Sequence, residues 1–385
     1  MKTNQLILAA ALVVLAACTK ANVEPVNTGN LEGDEIGFVA VNKKATKAND
    51  AIISGTAYGT DNTFKVWGWQ SQVGDFSEFA DDAASNFMSN LTISWTKGAV
   101  PATHDLEWRN AEHYYYWPFT GSIGFLAIHP SDLAATSYDE LTPGWDASND
   151  KAKASITDYT ISADNKTVDL MFASKEGSRA SIAKVGDGKV AMVFKHALSQ
   201  IQFRARTNED YSNDVTFTLN SVTLNNIDLS GDVAYANEAI AWSDNDTQSE
   251  DWAYYATPME VAYAANDAAA ALYGAANVMI PQPAYVHVDA DPANSIAEVP
   301  GTQITINYTM EQTNSAAITG TVTVPAPWTK VKEGATAYDP AEDVLAWEPG
   351  KKYNYTLNFK LNEILFNPSV TDWVEVEMST INILD

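Results

Sequence analysis

Cysteine is almost absent from this sequence. Cys18 is the only cysteine among 385 residues, so the chain cannot form an internal disulfide, and no second thiolate is available to share a metal ion. Long apolar runs are scarce as well. The run from Leu6 to Ala17 has twelve residues, whereas a helix that crosses a bilayer needs roughly 20. Stability must therefore come from ordinary hydrophobic cores, for which the 46% of hydrophobic residues supply ample material.

Positively charged residues are also few. The chain has 23 Lys and Arg residues against 49 Asp and Glu residues, which gives a formal net charge of −26 at pH 7. A protein of this charge repels phosphate backbones and anionic lipid surfaces. Nucleic acid is therefore excluded as a partner, while solubility outside the cell is favoured.

Catalytic and metal-binding motifs are missing too. The sequence contains no HExxH, no G-x-S-x-G and no P-loop. His104, Glu107, Glu112 and His113 could in principle ligate a metal, but their spacing matches no known site, so solvated loop residues are favoured. The acidic stretch 244–251 lacks the glycine and final glutamate of an EF-hand loop and is interpreted as a loop. No carboxylate pair stands out as glycosidase machinery. We predict no enzymatic activity, no metal and no cofactor.

The position of Cys18 gives the single thiol a function. The apolar run from Leu6 to Ala17 suits the core of a signal peptide, and Leu15-Ala16-Ala17-Cys18 resembles the bacterial lipobox, in which the cysteine sulfur receives a diacylglycerol. A buried apolar thiol is the alternative interpretation. We predict that residues 1–17 are a lipoprotein signal peptide and that Cys18 is the lipidated first residue of the mature protein. Residues 18–35 are polar and aperiodic, which indicates a flexible tether.

Beyond the tether, apolar and polar side chains alternate with a period of two. The clearest case is YNYTLNFKLN (353–362), where every second residue from Tyr353 to Leu361 is apolar. Helical periodicity is limited to FSEFADDAASNF (76–87) and DAAAALYG (267–274). Further strands are predicted in FKVWGW (64–69), GFLAIH (124–129), IQFRAR (201–206), VTFTLN (215–220) and ITINYTM (304–310). Many short strands between turn-rich clusters predict an all-β fold of antiparallel sandwiches.

One internal boundary is predicted near VGDGK (185–189), a Gly-Asp-Gly turn that precedes a long apolar strand. It divides the body into an N-terminal β-sandwich domain (36–186) and a C-terminal one (187–385), each large enough for its own core. The densest aromatic cluster, YYYWPF (114–119), lies in the first. Exposed Tyr and Trp could stack against sugars, but we interpret the cluster as core because β-rich domains use such residues to fill a sandwich.

Taken in order, several segments resemble the fimbrillin family, the type V pilins of Gram-negative bacteria. The resemblance runs from Cys18 to the C-terminus, and it depends on the order and spacing of the segments. They are the lipobox, the early strand followed by KKATKA, FKVWGW, YYYWPFTGSIGFLAIHP, DLMFAS (169–174), VFKHALSQIQFRA (193–205) and the terminal GKKYNYTLNFKLN with VTDWVEVE.

The resemblance implies two tandem transthyretin-like β-sandwich domains in a subunit exported to the outer membrane as a lipoprotein. It further implies that an extracellular trypsin-like protease, often arginine-specific, cuts after the first strand. An extended terminal segment of a neighbouring pilin subunit then fills the vacated groove, which is strand addition used for polymerisation. The partners would be other pilin subunits and a host or bacterial surface ligand, and the location would be the outer membrane first and an extracellular fimbrium later.

Carried onto this chain, the removable strand is IGFVAV (36–41), and the donor is the C-terminal segment VTDWVEVEMSTINIL (370–384). The cleavage segment has lysine where the family pattern commonly has arginine. The candidate cleavage sites follow Lys43, Lys44 and Lys47, and the candidate donor residues are Trp373, Val374, Val376 and Met378. An alternative function is a monomeric outer-membrane surface lipoprotein that binds glycans through Trp67, Trp69 or Trp117.

Overall fold

The computed structural model describes residues 35–42, 58–96, 108–182, 189–211, 214–243, 250–282, 302–325, 347–361 and 364–372. Almost all regular structure in these residues is β-strand. The strands, in chain order, are β1 (Phe38–Asn42), β2 (Phe64–Ser71), β3 (Met88–Trp95), β4 (Trp108–Arg109), β5 (Ser122–His129), β6 (Glu140–Asp146), β7 (Lys151–Thr160), β8 (Met171–Gly177), β9 (Val190–His196), β10 (Ser199–Thr207), β11 (Val215–Ile227), β12 (Ser230–Ala236), β13 (Ala239–Ser243), β14 (Glu250–Tyr255), β15 (Met259–Glu260), β16 (Ala271–Met279), β17 (Gln303–Gln312), β18 (Ile318–Pro325), β19 (Lys351–Phe359) and β20 (Ile364–Asp372).

Helical structure is slight in the described part of the chain. It consists of α1 (Arg179–Ile182) and the 3-10 turns Ala135–Ser137 and Asp267–Ala269. None of the helices described is long and apolar enough to cross a membrane. The predicted all-β class is confirmed.

The first set of strands closes into a barrel with the order β1-β4-β3-β2-β5-β8-β9. Strand β1 completes the closure, because it pairs antiparallel with β4 on one side and parallel with β9 on the other. The barrel interior is a hydrophobic core rich in aromatic side chains, among them Phe38, Phe64, Trp108, Phe125 and Phe194.

Strand β5 is buried along its whole length because it lies between two cores. Phe125 belongs to the barrel core, while Leu126 and Ile128 belong to a second core outside the barrel. Gly124 has no room for a side chain, since a Cβ atom there would lie 2.5 Å from the ring of Trp145. This continuous apolar run is typical of a strand covered on both faces.

The second core joins the outside of the barrel to three further sheets. Their strand orders are β13-β12-β7-β6, β16-β10-β19-β20 and β14-β11-β17-β18, with β15 paired to β11. The predicted strands in β11 and β19 are confirmed. In β19 the predicted apolar set Tyr353, Tyr355, Leu357 and Phe359 is buried, but Thr356 and Asn358 on the other face are buried as well. Leu361 departs from the prediction: β19 ends at Phe359, and Leu361 is 50% exposed.

The topology links the two sides of the predicted boundary at residues 185–189. Strand β9 follows that boundary but closes the barrel with strands that precede it. Strand β7, from the first half, pairs with β12 from the second. The division into domains 36–186 and 187–385, and their tandem transthyretin-like arrangement, stay predictions.

Two segments with helical periodicity are not α-helices. Residues 76–87 form turns before β3, and the spacing of Phe76 and Phe79 instead brings both rings against Trp145, at centroid distances of 4.7 and 5.5 Å. In the segment 267–274, a 3-10 turn gives way to β16 at Ala271. Pairing with β10 overrides the helical preference of the alanines.

Candidate functional site

Strand β1 contains most of the segment that the sequence predicts as the removable strand, residues 36–41. It is five residues long, and each of them is in parallel register with β9, from Phe38 opposite Val190 to Asn42 opposite Phe194. Within the described residues, its register with β4 consists of Phe38 opposite Trp108. The Gly37 carbonyl also accepts a hydrogen bond from the Val190 amide at 2.8 Å. Because β1 fills the space between β4 and β9, its removal would leave a groove with two unpaired strand edges.

Phe38 is the side chain that fixes β1 in the barrel. It is 1% exposed, and its ring meets Phe125 at 5.5 Å and Phe64 at 6.1 Å, both edge-to-face. Ile36 and Ala40 are buried on the same side, while Val39 is half-buried. The period-two pattern of the sequence therefore appears in the structure with the apolar set Ile36, Phe38 and Ala40 facing the core.

The chain just before β1 is also held to the barrel. The Ile36 amide donates to the Tyr115 carbonyl at 2.7 Å, and Glu35 forms an isolated antiparallel bridge with Tyr116. Burial, aided by the Glu35 carboxylate, raises the pKa of Tyr116. Glu35 is itself buried, so the C-terminal end of the predicted tether 18–35 is corrected: its last residue is part of the folded barrel.

Tyr58 closes the end of the barrel where β1 ends. Its ring stacks on Phe194 of β9 at 5.2 Å and meets Trp108 of β4 edge-to-face at 5.1 Å. These are the two strands that flank β1. The Tyr58 hydroxyl lies 2.5 Å from His129 Nδ1 and donates to the Thr63 carbonyl at 3.0 Å. Tyr58 thus connects both walls of the groove by contacts that do not involve β1.

Burial also sets the protonation of this pair. It raises the pKa of Tyr58 well above its ordinary value, with a further contribution from the Asp169 carboxylate. Burial lowers the pKa of His129 below its ordinary 6.5. At neutral pH a neutral imidazole and an intact phenol therefore meet here, and the barrel end carries no charge from either residue.

The C-terminal candidate begins inside an edge strand. Strand β20 is the last strand of its sheet and, within the described residues, pairs with β19 alone. Residues 370–372 of the predicted donor segment form the end of that strand, where Asp372 is opposite Lys351. The donor candidates Trp373, Val374, Val376 and Met378 lie outside the described residues, as do Cys18, Lys43, Lys44 and Lys47.

The tryptophans proposed for glycan binding are not available to a ligand. Trp67, Trp69 and Trp117 are all buried in the cores, and Trp69 donates its indole N–H to the Ala83 carbonyl. The prediction that YYYWPF is core is correct for Trp117 and wrong for two others, because Tyr114 is 37% exposed and Phe119 is fully exposed.

The residues weighed as metal ligands do not form a site in the described part of the chain. Glu112 and His113 are exposed, His104 and Glu107 lie outside it, and the described residues contain no group of three or more His, Cys, Asp or Glu side chains that could hold a metal. Of the stretch 244–251, only Glu250 and Asp251 are described, and they begin β14 instead of lying in a loop.

Sequence reasoning found β1 but missed Tyr58. Nothing around residue 58 marks it, because its partners come from β2, β4, β5 and β9 and are distant in sequence. Only the closed barrel brings them together.

Comparison with known proteins places these features in context. The fimbrillin-like family model matches residues 19–373. A fimbrial protein from Bacteroides vulgatus ATCC 8482 is similar in structure, with 16% sequence identity, a TM-score of 0.53, and coverage of 89% of this chain and 100% of that one. A fimbrial assembly protein from Parabacteroides distasonis ATCC 8503 aligns with 10% identity, a TM-score of 0.34, and coverage of 87% and 95%. The search of curated proteins found no match.

Proposed function

The chain belongs to the fimbrillin-like family, and from that membership we propose that it is a structural subunit of a surface fimbrium that polymerises by protease-gated strand exchange. The observation that carries the proposal is the position of β1. It is a short strand at the N-terminal end of the folded body, it fills the barrel between two other strands, and the lysine-rich segment follows it directly. A cut after Lys43, Lys44 or Lys47 would separate β1 from the rest of the barrel.

A nicked β1 would stay in place until another segment displaces it. Burial of a large apolar side chain such as Phe38 contributes roughly 1.5–3 kcal/mol, and each ladder hydrogen bond adds about 0.5–1.5 kcal/mol. An incoming strand that restores the same pairs can replace these contacts one position at a time. Cleavage therefore permits exchange, and the arrival of a neighbour drives it.

Contacts made by Tyr58 would hold the two walls of the groove in place after β1 leaves. Tyr58 contacts Phe194 and Trp108, the rings on the two flanking strands, from a position after the cleavage segment. It would remain in the processed protein when residues 36–42 depart. A subunit whose vacated groove keeps a fixed width loses less conformational entropy when the incoming strand binds.

The donor would come from the C-terminal segment 370–384. Strand β20, in which this segment begins, is at a sheet edge and is the described strand nearest the C-terminus. In the sequence that follows, apolar residues at 374, 376 and 378 alternate with Glu375 and Glu377, as a half-buried donated strand requires.

The remaining properties follow from the same role. Lipidation at Cys18 would hold the precursor on the outer membrane, and processing would release it into an extracellular fimbrium that supports adhesion. The partners are other pilin subunits, and the subunit has no enzymatic activity. The glycan-binding alternative depended on Trp67, Trp69 and Trp117, and all three are buried.

A paired lysine experiment tests the proposal. Protein carrying Lys43→Gln, Lys44→Gln and Lys47→Gln should resist limited trypsin treatment in this segment and stay a folded monomer. The matched control carries Lys43→Arg, Lys44→Arg and Lys47→Arg, which keeps both charge and trypsin sites, and it should be cut and form ladders of oligomers like the wild type. Equal assembly of the Gln and Arg variants would show that cleavage does not gate polymerisation.

A further inference from the structure

Arg109 is a buried cation next to β1. It is the second residue of β4 and is 1% exposed. Its Nη1 donates to the Asn110 carbonyl at 2.7 Å, and its guanidinium lies over the Tyr114 ring, 4.6 Å from the centroid. Among the described residues, its Nε and Nη2 have no hydrogen-bond partner. A buried guanidinium in this state is costly, because two of its nitrogens have lost water and gained no acceptor.

Strand β1 places no side chain opposite Arg109. Phe38 is opposite Trp108 in an antiparallel pair, so the next position along the two strands brings Gly37 beside Arg109. The side chains of the first pair face the barrel core, whereas Gly37 and Arg109 belong to the opposite face. Because Gly37 has no side chain, β1 offers the guanidinium no side-chain acceptor from this position.

The departure of β1 would uncover Arg109. Burial raises the pKa of Tyr116, the Glu35 carboxylate raises it further and the Arg109 guanidinium opposes the change, so these three groups lie near one another. Residues 35–37 precede the predicted cut and would leave with β1. In the processed subunit the guanidinium would then face the open groove, and the Glu35 carboxylate would be gone.

The predicted donor segment carries glutamates between its apolar residues. The core-facing positions of β1 are 36, 38 and 40. The apolar donor positions 374, 376 and 378 fill all three, in the direction of β1, only when 374 takes the place of 36. A shift by two residues would put Asp372 or Thr380 on the core side. In the register that avoids this, Glu375 takes the place of Gly37 and Glu377 takes the place of Val39.

We propose that Glu375 of the incoming strand pairs with Arg109 of the subunit that receives it, and that this ion pair fixes the register of the exchanged strand. Directly opposite residues of antiparallel strands have Cβ atoms about 5 Å apart, which suits a charge-assisted hydrogen bond from Nε or Nη2 to the carboxylate. The incoming strand gains an interaction that β1 cannot make, and exchange is favoured over rebinding of β1. The inference rests on the proposed strand exchange.

A peptide-binding assay tests the pairing. The receiving protein is the trypsin-treated subunit without residues 373–385, which lacks its own donor, and the probe is a fluorescent peptide of residues 370–385 followed by anisotropy. The Glu375→Gln peptide should bind roughly tenfold more weakly or worse, because a charge pair in a water-excluded groove is broken. The Glu377→Gln peptide is the matched control. It removes the same charge from the position of half-buried Val39 and should change the affinity by less than about threefold.

Arg109→Gln in the receiving subunit completes a double-mutant cycle. On this variant the wild-type peptide should lose its advantage, and the Glu375→Gln peptide should bind as well as the wild-type peptide. If Arg109→Gln does not fold, the two peptides measured on the unmutated receiving subunit still decide.

The possible failures separate this inference from the proposed function. Equal binding of the Glu375→Gln and wild-type peptides, or a loss confined to Glu377→Gln, would overturn the pairing and leave strand exchange intact. Failure of the wild-type peptide to bind at all would instead refute the proposed donor and the pairing together.

Discussion

Replacing Phe38 by alanine should loosen β1 more than any other single change in that strand. Phe38 is 1% exposed, and its edge-to-face contacts with Phe64 and Phe125 leave the barrel core little room to collapse around a smaller side chain. A Phe→Ala change in such a site costs about 3–5 kcal/mol. In the uncut chain this lowers the free energy of unfolding of the barrel. In the nicked chain it lowers the free energy that holds the strand.

The second effect is the more informative. Since about 1.4 kcal/mol corresponds to a tenfold change in rate, the nicked Phe38→Ala protein should release residues 36–42 roughly a hundredfold faster or more. Urea unfolding followed by tryptophan fluorescence measures the first effect. Mass spectrometry of the folded fraction after trypsin treatment measures the second.

Val39→Ala is the matched control for both measurements. Val39 is in the same strand with the same backbone pairing but is only half-buried, so its truncation should cost about 1 kcal/mol or less. If Phe38→Ala costs no more than Val39→Ala, or if its nicked strand is retained as long as that of the wild type, β1 is not held by its core side chain and the reasoning fails.

Three further predictions concern other parts of the chain. Cys18→Ser should abolish lipidation because serine cannot supply the thioether, and incorporation of labelled palmitate by the variant would contradict this. Deletion of residues 373–385 should leave β20 paired with β19 and the protein folded by circular dichroism, but should prevent polymer formation by the trypsin-treated subunit; polymers of normal length would place the donor elsewhere. Glu176→Gln should stabilise the protein at pH 8 and above, because burial raises the pKa of Glu176 from 4.5 to about 7. The stability that depends on a protonated Glu176 is complete below pH 4.5 and is lost as the pH rises through 7, a loss of about 3 kcal/mol. Equal thermal melting points of variant and wild type at pH 8 would refute this prediction.

Local pattern was enough to predict much of the fold. The strands in 201–206, 215–220 and 304–310 lie in β10, β11 and β17, because alternation with a period of two reports directly which side chains face a core. The strand GFLAIH was predicted from its apolar run alone, and the structure gives the reason for that run: β5 has a core on each face.

The features that the sequence did not predict correctly all depend on packing between residues distant in sequence. Phe76 and Phe79 have helical spacing but wrap around Trp145. The alanines after Asp267 favour a helix, yet Ala271 and its successors pair with β10. Tyr58 contacts residues of four strands that are distant in sequence, so no short motif could reveal its position. By contrast, β1 could be predicted because its alternating residues are adjacent in sequence.

The central claim is that assembly removes β1 from the subunit. It is tested most directly by mass spectrometry of the N-terminus of subunits within purified polymers, after all unassembled protein has been washed away. The account predicts that these subunits begin after Lys43, Lys44 or Lys47 and that the peptide containing residues 36–42 is absent. Polymers whose subunits retain residues 36–42, either intact or as a bound nicked peptide, would contradict it.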